Sequence, residues 1–101
     1  MNAVERLWQA LAGGDWSAAR AQFRANAAVE WPHDGARLDV DEYLARTRLR
    51  QAGAIEVLRV VTEGRYVAVE ARAGAARGAA IYDLHDGLIA GGTEYWVGER
   101  A

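Results

Sequence analysis

The chain has 101 residues, of which 51% are hydrophobic, and a formal net charge of −2, which predicts one small folded domain over residues 1–101. The slight acidic excess gives no electrostatic reason to expect a nucleic acid or an anionic membrane as partner. The sequence contains no cysteine and no lysine, which excludes disulfides, thiolate catalysis and Schiff-base chemistry on a lysine.

Hydropathy gives no sign of a membrane segment. No apolar run approaches the roughly 20 residues that a membrane-spanning helix needs. Residues 1–16 are amphipathic and charged, unlike a signal peptide. We therefore expect a cytoplasmic location.

Three helices are predicted from capping residues and apolar spacing. Residues 2–12 begin with a capping box, carry apolar residues at helical spacing and end at a pair of glycines. Asp15 can cap a second short helix whose apolar face extends to Phe23. A second capping box opens a third helix over residues 40–52, which Gly53 ends.

Five strands complete the prediction. Residues 27–32 form a strand that the only proline stops, and the next three residues, His-Asp-Gly, are typical of a turn. A meander follows, with strands over residues 55–62, 66–72, 79–84 and 88–97. Residues 73–78 are expected to form a loose turn. This order predicts an α+β fold with helices on one face of a curved sheet, and such a sheet often leaves a ligand site at one end.

Four segments together resemble a known superfamily: "LAGGDW", "AAVEWP", "EVLRVVTEGRYVAVEAR" and "DLHDGLIAGGTEYW". In this order and spacing they resemble the nuclear transport factor 2-like superfamily, in its SnoaL-like branch, over nearly the whole chain. The resemblance implies a cone-shaped, curved antiparallel sheet wrapped around three N-terminal helices, with an apolar pocket and often a dimer. It fixes no activity, because this fold hosts isomerases, hydrolases, cyclases, dehydratases and non-catalytic modules.

Ketosteroid isomerase resembles the chain around "VEWPHDG". Its general-base Asp falls at Trp31, its oxyanion-hole Tyr at Leu7 and its proton-donating Asp at Ala80. All three functional groups are absent here, so the resemblance does not carry that mechanism over. It implies instead that Leu7 and Ala80 face the same cavity as Trp31.

Limonene epoxide hydrolase resembles the chain at the last strand. Its two Asp and one Arg fall near Ala73, Glu94 and Ala71, and only Glu94 keeps a carboxylate. The catalytic set of that enzyme is therefore incomplete in this chain.

The same comparisons imply which residues of the sheet face inward. The concave side is expected to carry Val69, Gly92, Glu94 and Trp96. The other side is expected to carry Ile89, Thr93 and Tyr95. The outward set is more apolar than a solvated sheet face should be, so we expect a homodimer formed through that face.

Glu94 is the first candidate for catalysis. Residues two apart on a strand share a face, so Glu94 lies beside Trp96, and a carboxyl there would lose solvation and could act as a general acid or base. His33 is the second candidate, because imidazole titrates near the working pH range. Two alternatives remain open: Glu94 pairs with an Arg or faces solvent, and His33 is an exposed loop histidine.

The candidate pocket is aromatic. Trp31 and Trp96 could wall a site for a flat apolar ligand, with the hydroxyl of Tyr82 inside it. Tyr43 and Thr47 on the third helix could close its mouth. The two histidines of the chain have no metal-ligand spacing, so neither a metal nor a cofactor is expected.

Two functions stay open at this point. In the first, the chain is an isomerase, cyclase or dehydratase that acts by proton transfer on an apolar cyclic or carbonyl-bearing small molecule. In the second, the same pocket belongs to a non-catalytic module for ligand binding or dimerisation. A second polar group within about 3 Å of Glu94 favours the first, and an Arg that holds Glu94 favours the second.

Overall fold

The computed structural model describes residues 1–50 and 54–98. Its helices are α1 (Ala3–Gly13), α2 (Trp16–Arg20) and α3 (Val40–Arg50), with one 3-10 turn at Pro32–Asp34. Its strands are β1 (Phe23–Trp31), β2 (Ala36–Asp39), β3 (Ile55–Glu63), β4 (Tyr66–Ala73), β5 (Ala76–His85) and β6 (Leu88–Gly98). The predicted end of the third helix, Gly53, lies outside the described residues.

The strands form one curved, open sheet in the order β2-β1-β6-β5-β4-β3. The α+β fold class predicted from the sequence is confirmed. The pair β1–β6 is parallel, and the other four pairs are antiparallel. This parallel pair brings the first strand of the chain beside the last one. None of the described helices is long and apolar enough to cross a membrane.

The N-terminal helix forms as its caps predict. The side chain of Asn2 accepts a hydrogen bond from the Glu5 backbone N–H, and the Glu5 carboxylate accepts one from the Asn2 N–H, both at 2.9 Å. Gly14 ends the helix in the left-handed region, at φ 71°, where glycine has no side chain to clash. The buried stripe of α1 faces the concave side of the sheet.

Two predicted boundaries are wrong, and one strand was not predicted. Phe23 begins β1 instead of continuing the second helix, because it pairs with Ile89 of β6 across the sheet and tertiary pairing outweighs helical spacing. Strand β2 was not predicted and forms when the chain reverses at Gly35. The predicted loose turn over residues 73–78 is a tight turn, and β5 begins at Ala76.

Ile89 also lies on the opposite face from the predicted one. It is fully buried in the core, whereas Tyr95 on the same strand is half exposed on the outer face. The pairing of β5 with β6 shifts between Asp83 and Leu84, and this bulge adds one residue to β6. An extra residue reverses the inward and outward alternation of a strand, which explains why Ile89 and Glu94 both point inward.

Two glycines leave room for two aromatic rings on the concave face. Gly92 pairs with Tyr82 across β5 and β6, and a Cβ at Gly92 would lie 2.5 Å from Tyr82 Cδ1. Gly78 pairs with Trp96, and a Cβ there would lie 2.8 Å from the Trp96 ring. Both distances are shorter than contact between carbon atoms allows, so these positions need glycine for packing.

We expect Gly92→Ala and Gly78→Ala to lower the free energy of unfolding by about 1–3 kcal/mol each, the usual effect of overpacking. Gly91→Ala is the matched control, because a Cβ there would lie 3.5 Å from the nearest atom, the Ala28 carbonyl oxygen. Chemical denaturation measures all three variants. Equal effects at Gly91 and Gly92 would show that glycine flexibility, and not space for the rings, matters here.

Candidate functional site

The candidate site is built around the carboxylate of Glu94. Its side chain enters the concave face from β6 and is 2% exposed, and it is the only fully buried charged residue among those the structure describes. Oε1 accepts hydrogen bonds from Trp31 Nε1 at 3.0 Å and from Trp96 Nε1 at 3.3 Å. Oε2 accepts hydrogen bonds from the hydroxyls of Tyr43 at 2.7 Å and Tyr82 at 2.5 Å.

All four partners of Glu94 are neutral donors. Within residues 1–50 and 54–98, no ion pair includes this carboxylate. An unpaired buried charge costs several kcal/mol, and hydrogen bonds to a charged group return about 1.5–3 kcal/mol each. Two indole and two phenol groups therefore take the place of a counter-ion.

Burial sets the protonation state of the two tyrosines. Loss of solvation raises the pKa of both Tyr43 and Tyr82 well above 10.0, and the negative charge and hydrogen bond of Glu94 raise it further. Thr47, which lies beside Tyr43, lowers the pKa of that tyrosine, and Trp8, which lies beside Tyr82, lowers the pKa of Tyr82. Both effects act against the larger increases caused by burial and by Glu94. Both phenols stay neutral at physiological pH and keep the protons that they donate to Glu94.

The residues predicted for the pocket mostly converge. Trp31, Tyr82 and Trp96 contact Glu94 directly, and Tyr43 reaches it from α3, where the sequence suggested only a place at the mouth. The apolar residues of the predicted set pack around this cluster and are buried: Leu7 in α1, Val69 in β4 and Ala80 in β5. Ala80 is the strand partner of Glu94.

His33 is not brought to Glu94. No hydrogen bond of the described residues joins the two. The His33 imidazole lies against Trp31, with 5.8 Å between ring centroids, and its Nε2 is 3.8 Å from Asp34 Oδ2. The turn after β1 places the His33 ring against the indole of Trp31, and the Nε1 of that indole, not His33, bonds the carboxylate.

Arg50 at the end of α3 covers Trp31 from outside. Its Cζ lies 4.7 Å from the Trp31 ring centroid, and its Nη2 lies 2.5 Å from Asp34 Oδ2. This ion pair joins α3 to the turn after β1. Sequence reasoning did not select Arg50, and the only available signal was its place among the basic residues in the last turn of the helix.

Trp8 was not among the predicted pocket residues, but it lies beside the site. Its ring is 6.1 Å from that of Trp96, at an interplanar angle of 40°. Its position in the buried stripe of α1 gave no signal beyond packing. Among the described residues, no three His, Cys, Asp or Glu side chains are grouped so that they could hold a metal ion.

Because two tyrosines are buried, we expect the protein to lose stability at alkaline pH. Unfolded tyrosines ionise from about pH 10, whereas Tyr43 and Tyr82 stay neutral in the fold, so the free energy of unfolding falls as pH rises from 10 toward their folded pKa. Each tyrosine contributes up to about 1.4 kcal/mol per pH unit in that window. Denaturation curves between about pH 8 and about pH 11 measure this slope.

Tyr43→Phe and Tyr82→Phe should each flatten that slope. Each should also lower stability at neutral pH by about 1–3 kcal/mol, because one lone pair of Glu94 loses its donor. Tyr95→Phe removes an exposed hydroxyl and should leave neutral-pH stability unchanged. A wild-type slope in both buried variants would contradict the assignment.

Comparison by sequence finds no matching family model and no matching characterised protein. Comparison by structure finds close similarity. An NTF-2-like protein of unknown function from Burkholderia xenovorans LB400 superposes with a TM-score of 0.81 and 26% identity, over 98% of this chain and 83% of that one.

Two similar structures carry proposed or named activities. IdmH, a proposed polyketide cyclase from Streptomyces antibioticus, has a TM-score of 0.80 and 18% identity over 93% of this chain and 88% of its own. An LEH-like epoxide hydrolase from M. tuberculosis has a TM-score of 0.70 and 20% identity over 94% and 80%. The chain therefore has the nuclear transport factor 2-like fold that its sequence resemblance implied.

Proposed function

We propose that this chain binds a small, mostly apolar molecule beside Glu94 and moves a proton through that carboxylate. The substrate class is an apolar cyclic or carbonyl-bearing compound, and the reaction is an isomerisation, cyclisation or dehydration. Structural neighbours with a proposed cyclase and a named epoxide hydrolase activity support a small-molecule site on this fold.

The observation that carries the proposal is a buried carboxylate with no cation. An apolar side chain of similar volume at position 94 would fill the same space without a desolvation cost. Stability alone therefore gives little reason for a charge at this place. Charged groups in such environments are frequent at catalytic sites, where a positioned carboxylate can take up or release a substrate proton.

Trp96 offers the route to the carboxylate. Its hydrogen bond to Oε1, at 3.3 Å, is the longest of the four, and its side chain is only partly buried. Movement of this indole would free one lone pair of Oε1 for a substrate proton. Trp31 and at least one of the two tyrosines would keep their hydrogen bonds and hold Glu94 in place during the transfer.

One of the two tyrosines can change its hydrogen-bond partner when Glu94 is protonated. When Glu94 takes a proton, its oxygens become weaker acceptors, and the hydroxyl of Tyr43 or Tyr82 can turn toward an oxygen of the substrate. The negative charge that develops on that oxygen would then be stabilised by a hydrogen bond from the neutral phenol. Aromatic rings around the site exclude water, which strengthens each of these interactions.

The full set of hydrogen bonds also supports the second function. Four donors occupy the carboxylate, and they come from β1, α3, β5 and β6. A satisfied polar network of this kind can fix the packing of helix on sheet without any reaction. The non-catalytic binding or dimerisation module therefore remains the alternative.

Exchange of the α-protons of cyclohexanone in heavy water separates the two functions, because it detects proton transfer without a known substrate. We expect the wild-type protein to accelerate exchange, measured by proton NMR. Glu94→Gln should lower the catalysed rate by about a hundredfold or more, the scale of a general base.

Glu70→Gln is the matched control for this experiment. Glu70 lies on the outer face of β4, paired with Arg77, and its substitution should leave the exchange rate unchanged. Equal rates in wild type and Glu94→Gln would reject proton transfer at this site. Binding of cyclohexanone without any acceleration would favour the non-catalytic module.

We also propose that the chain forms a homodimer through the outer face of the sheet. With Ile89 buried, the exposed apolar residues there are Val61, Tyr66, Ile81, Tyr95 and Val97. A groove of about 570 Å³ between Ile81 and Tyr95 can receive side chains of a second copy. Burial of this set would remove these exposed apolar side chains from water.

Tyr95→Arg should convert the dimer to a monomer, because two copies would place like charges in one apolar interface. Sedimentation at micromolar concentration measures the change. Leu49→Arg, at an exposed apolar residue of α3, is the control and should stay dimeric. A wild-type monomer, or a Tyr95→Arg dimer, would reject this interface.

A further inference from the structure

Two buried polar atoms beside the Glu94 cluster have no hydrogen-bond partner. They are Trp8 Nε1 of α1 and Thr47 Oγ1 of α3. Trp8 lies close enough to the hydroxyl of Tyr82, and Thr47 to that of Tyr43, to lower the pKa of each phenol, but neither contact has the distance and angle of a hydrogen bond. The third such atom of the described residues, Asp83 Oδ1, is 3.0 Å from Arg65 Nε on the outer face. Within residues 1–50 and 54–98, the buried donors without a partner therefore lie beside the candidate site.

Trp8 is the more informative of the two. Its side chain is 3% exposed, and an indole N–H can only donate. A buried donor without a partner costs about 1–3 kcal/mol, so such groups in folded proteins usually mark a place for another molecule or a mechanism. The partner that Trp8 lacks must be an acceptor.

The surroundings limit what that acceptor can be. The negative charge of Glu94 disfavours an anion, and the adjacent rings of Trp8 and Trp96, 6.1 Å apart between centroids, make the surroundings apolar. An ammonium group would satisfy the charge of Glu94 but has no acceptor for the indole N–H. A neutral oxygen on an apolar body fits both conditions.

We infer that Trp8 Nε1 is a ligand-binding group that donates a hydrogen bond to a neutral carbonyl or ether oxygen of the ligand. This inference rests on the proposed function and adds to it the polar feature that the ligand must carry. The oxygen would lie between α1 and the Tyr82 side of the cluster, and Glu94 would face the carbon skeleton. Trp8 thereby selects oxygenated ligands over plain hydrocarbons of the same shape.

Indole N–H signals in a nitrogen–proton NMR spectrum test this directly. The chain has four tryptophans, so four signals are expected, and Trp→Phe variants assign them. The probes are cyclohexanone and methylenecyclohexane, which differ only by replacement of the oxygen with a CH₂ group. We expect cyclohexanone to move the Trp8 proton signal downfield, as a new hydrogen bond does, and methylenecyclohexane to leave it in place.

Trp16 is the internal control, because it lies under Arg48 and is not among the hydrogen-bond donors to Glu94, and its signal should not move with either probe. Trp8→Phe should weaken cyclohexanone binding by roughly fivefold to tenfold, the effect of one net hydrogen bond, and leave methylenecyclohexane binding unchanged. The signal shifts in the wild-type protein decide the question even if Trp8→Phe folds poorly.

The outcomes separate this inference from the proposed function. If both probes shift the Trp31 and Trp96 signals but the Trp8 signal stays still, the ligand site stands and the role of Trp8 is wrong. The same conclusion follows if Trp8→Phe weakens both probes equally, because Trp8 then contributes packing alone. If neither probe moves Trp31 or Trp96, the proposed function fails, and this inference fails with it.

Discussion

The hydrogen bonding of one buried carboxylate organises the interior of this protein. Glu94 is reached by Trp31 from β1, Tyr43 from α3 and Tyr82 from β5. These elements lie far apart in the sequence. All three must pack in one specific arrangement for their side chains to reach the same carboxylate. Since each lost donor would leave part of a buried charge unsatisfied, the network penalises other arrangements of the core more strongly than apolar contacts would.

The sheet provides the space that this network requires. Gly92 and Gly78 stand opposite Tyr82 and Trp96, so two large rings can lie flat on neighbouring strands. The bulge in β6 then directs Ile89 and Glu94 to the same side. The core beneath α1 is thus apolar except for the Glu94 carboxylate and its hydrogen-bond donors. The N–H of Trp8, which has no hydrogen-bond partner, lies beside this polar cluster.

Much of the fold followed from local patterns in the chain. The capping box of α1, the glycine after it and the Asp-Gly hairpin before β6 each use chemistry within a few residues. Phe23 and Ile89 were misplaced because their position depends on distant partners. They pair with each other across the parallel strands β1 and β6. Neither this pairing nor the bulge in β6 can be recognised from the residue pattern of either segment alone.

For the candidate site, the sequence by itself determined that Glu94 and Trp96 share a face, because strand residues two apart always do. It also determined that aromatic side chains would be abundant near that carboxylate. Only the tertiary structure decided that the partners of Glu94 are two phenols and two indoles instead of an Arg or His33. The physical reason is that hydrogen bonds act within about 3 Å, and the distances between α3, β1 and the meander are set by packing of the whole core, not by spacing along the chain.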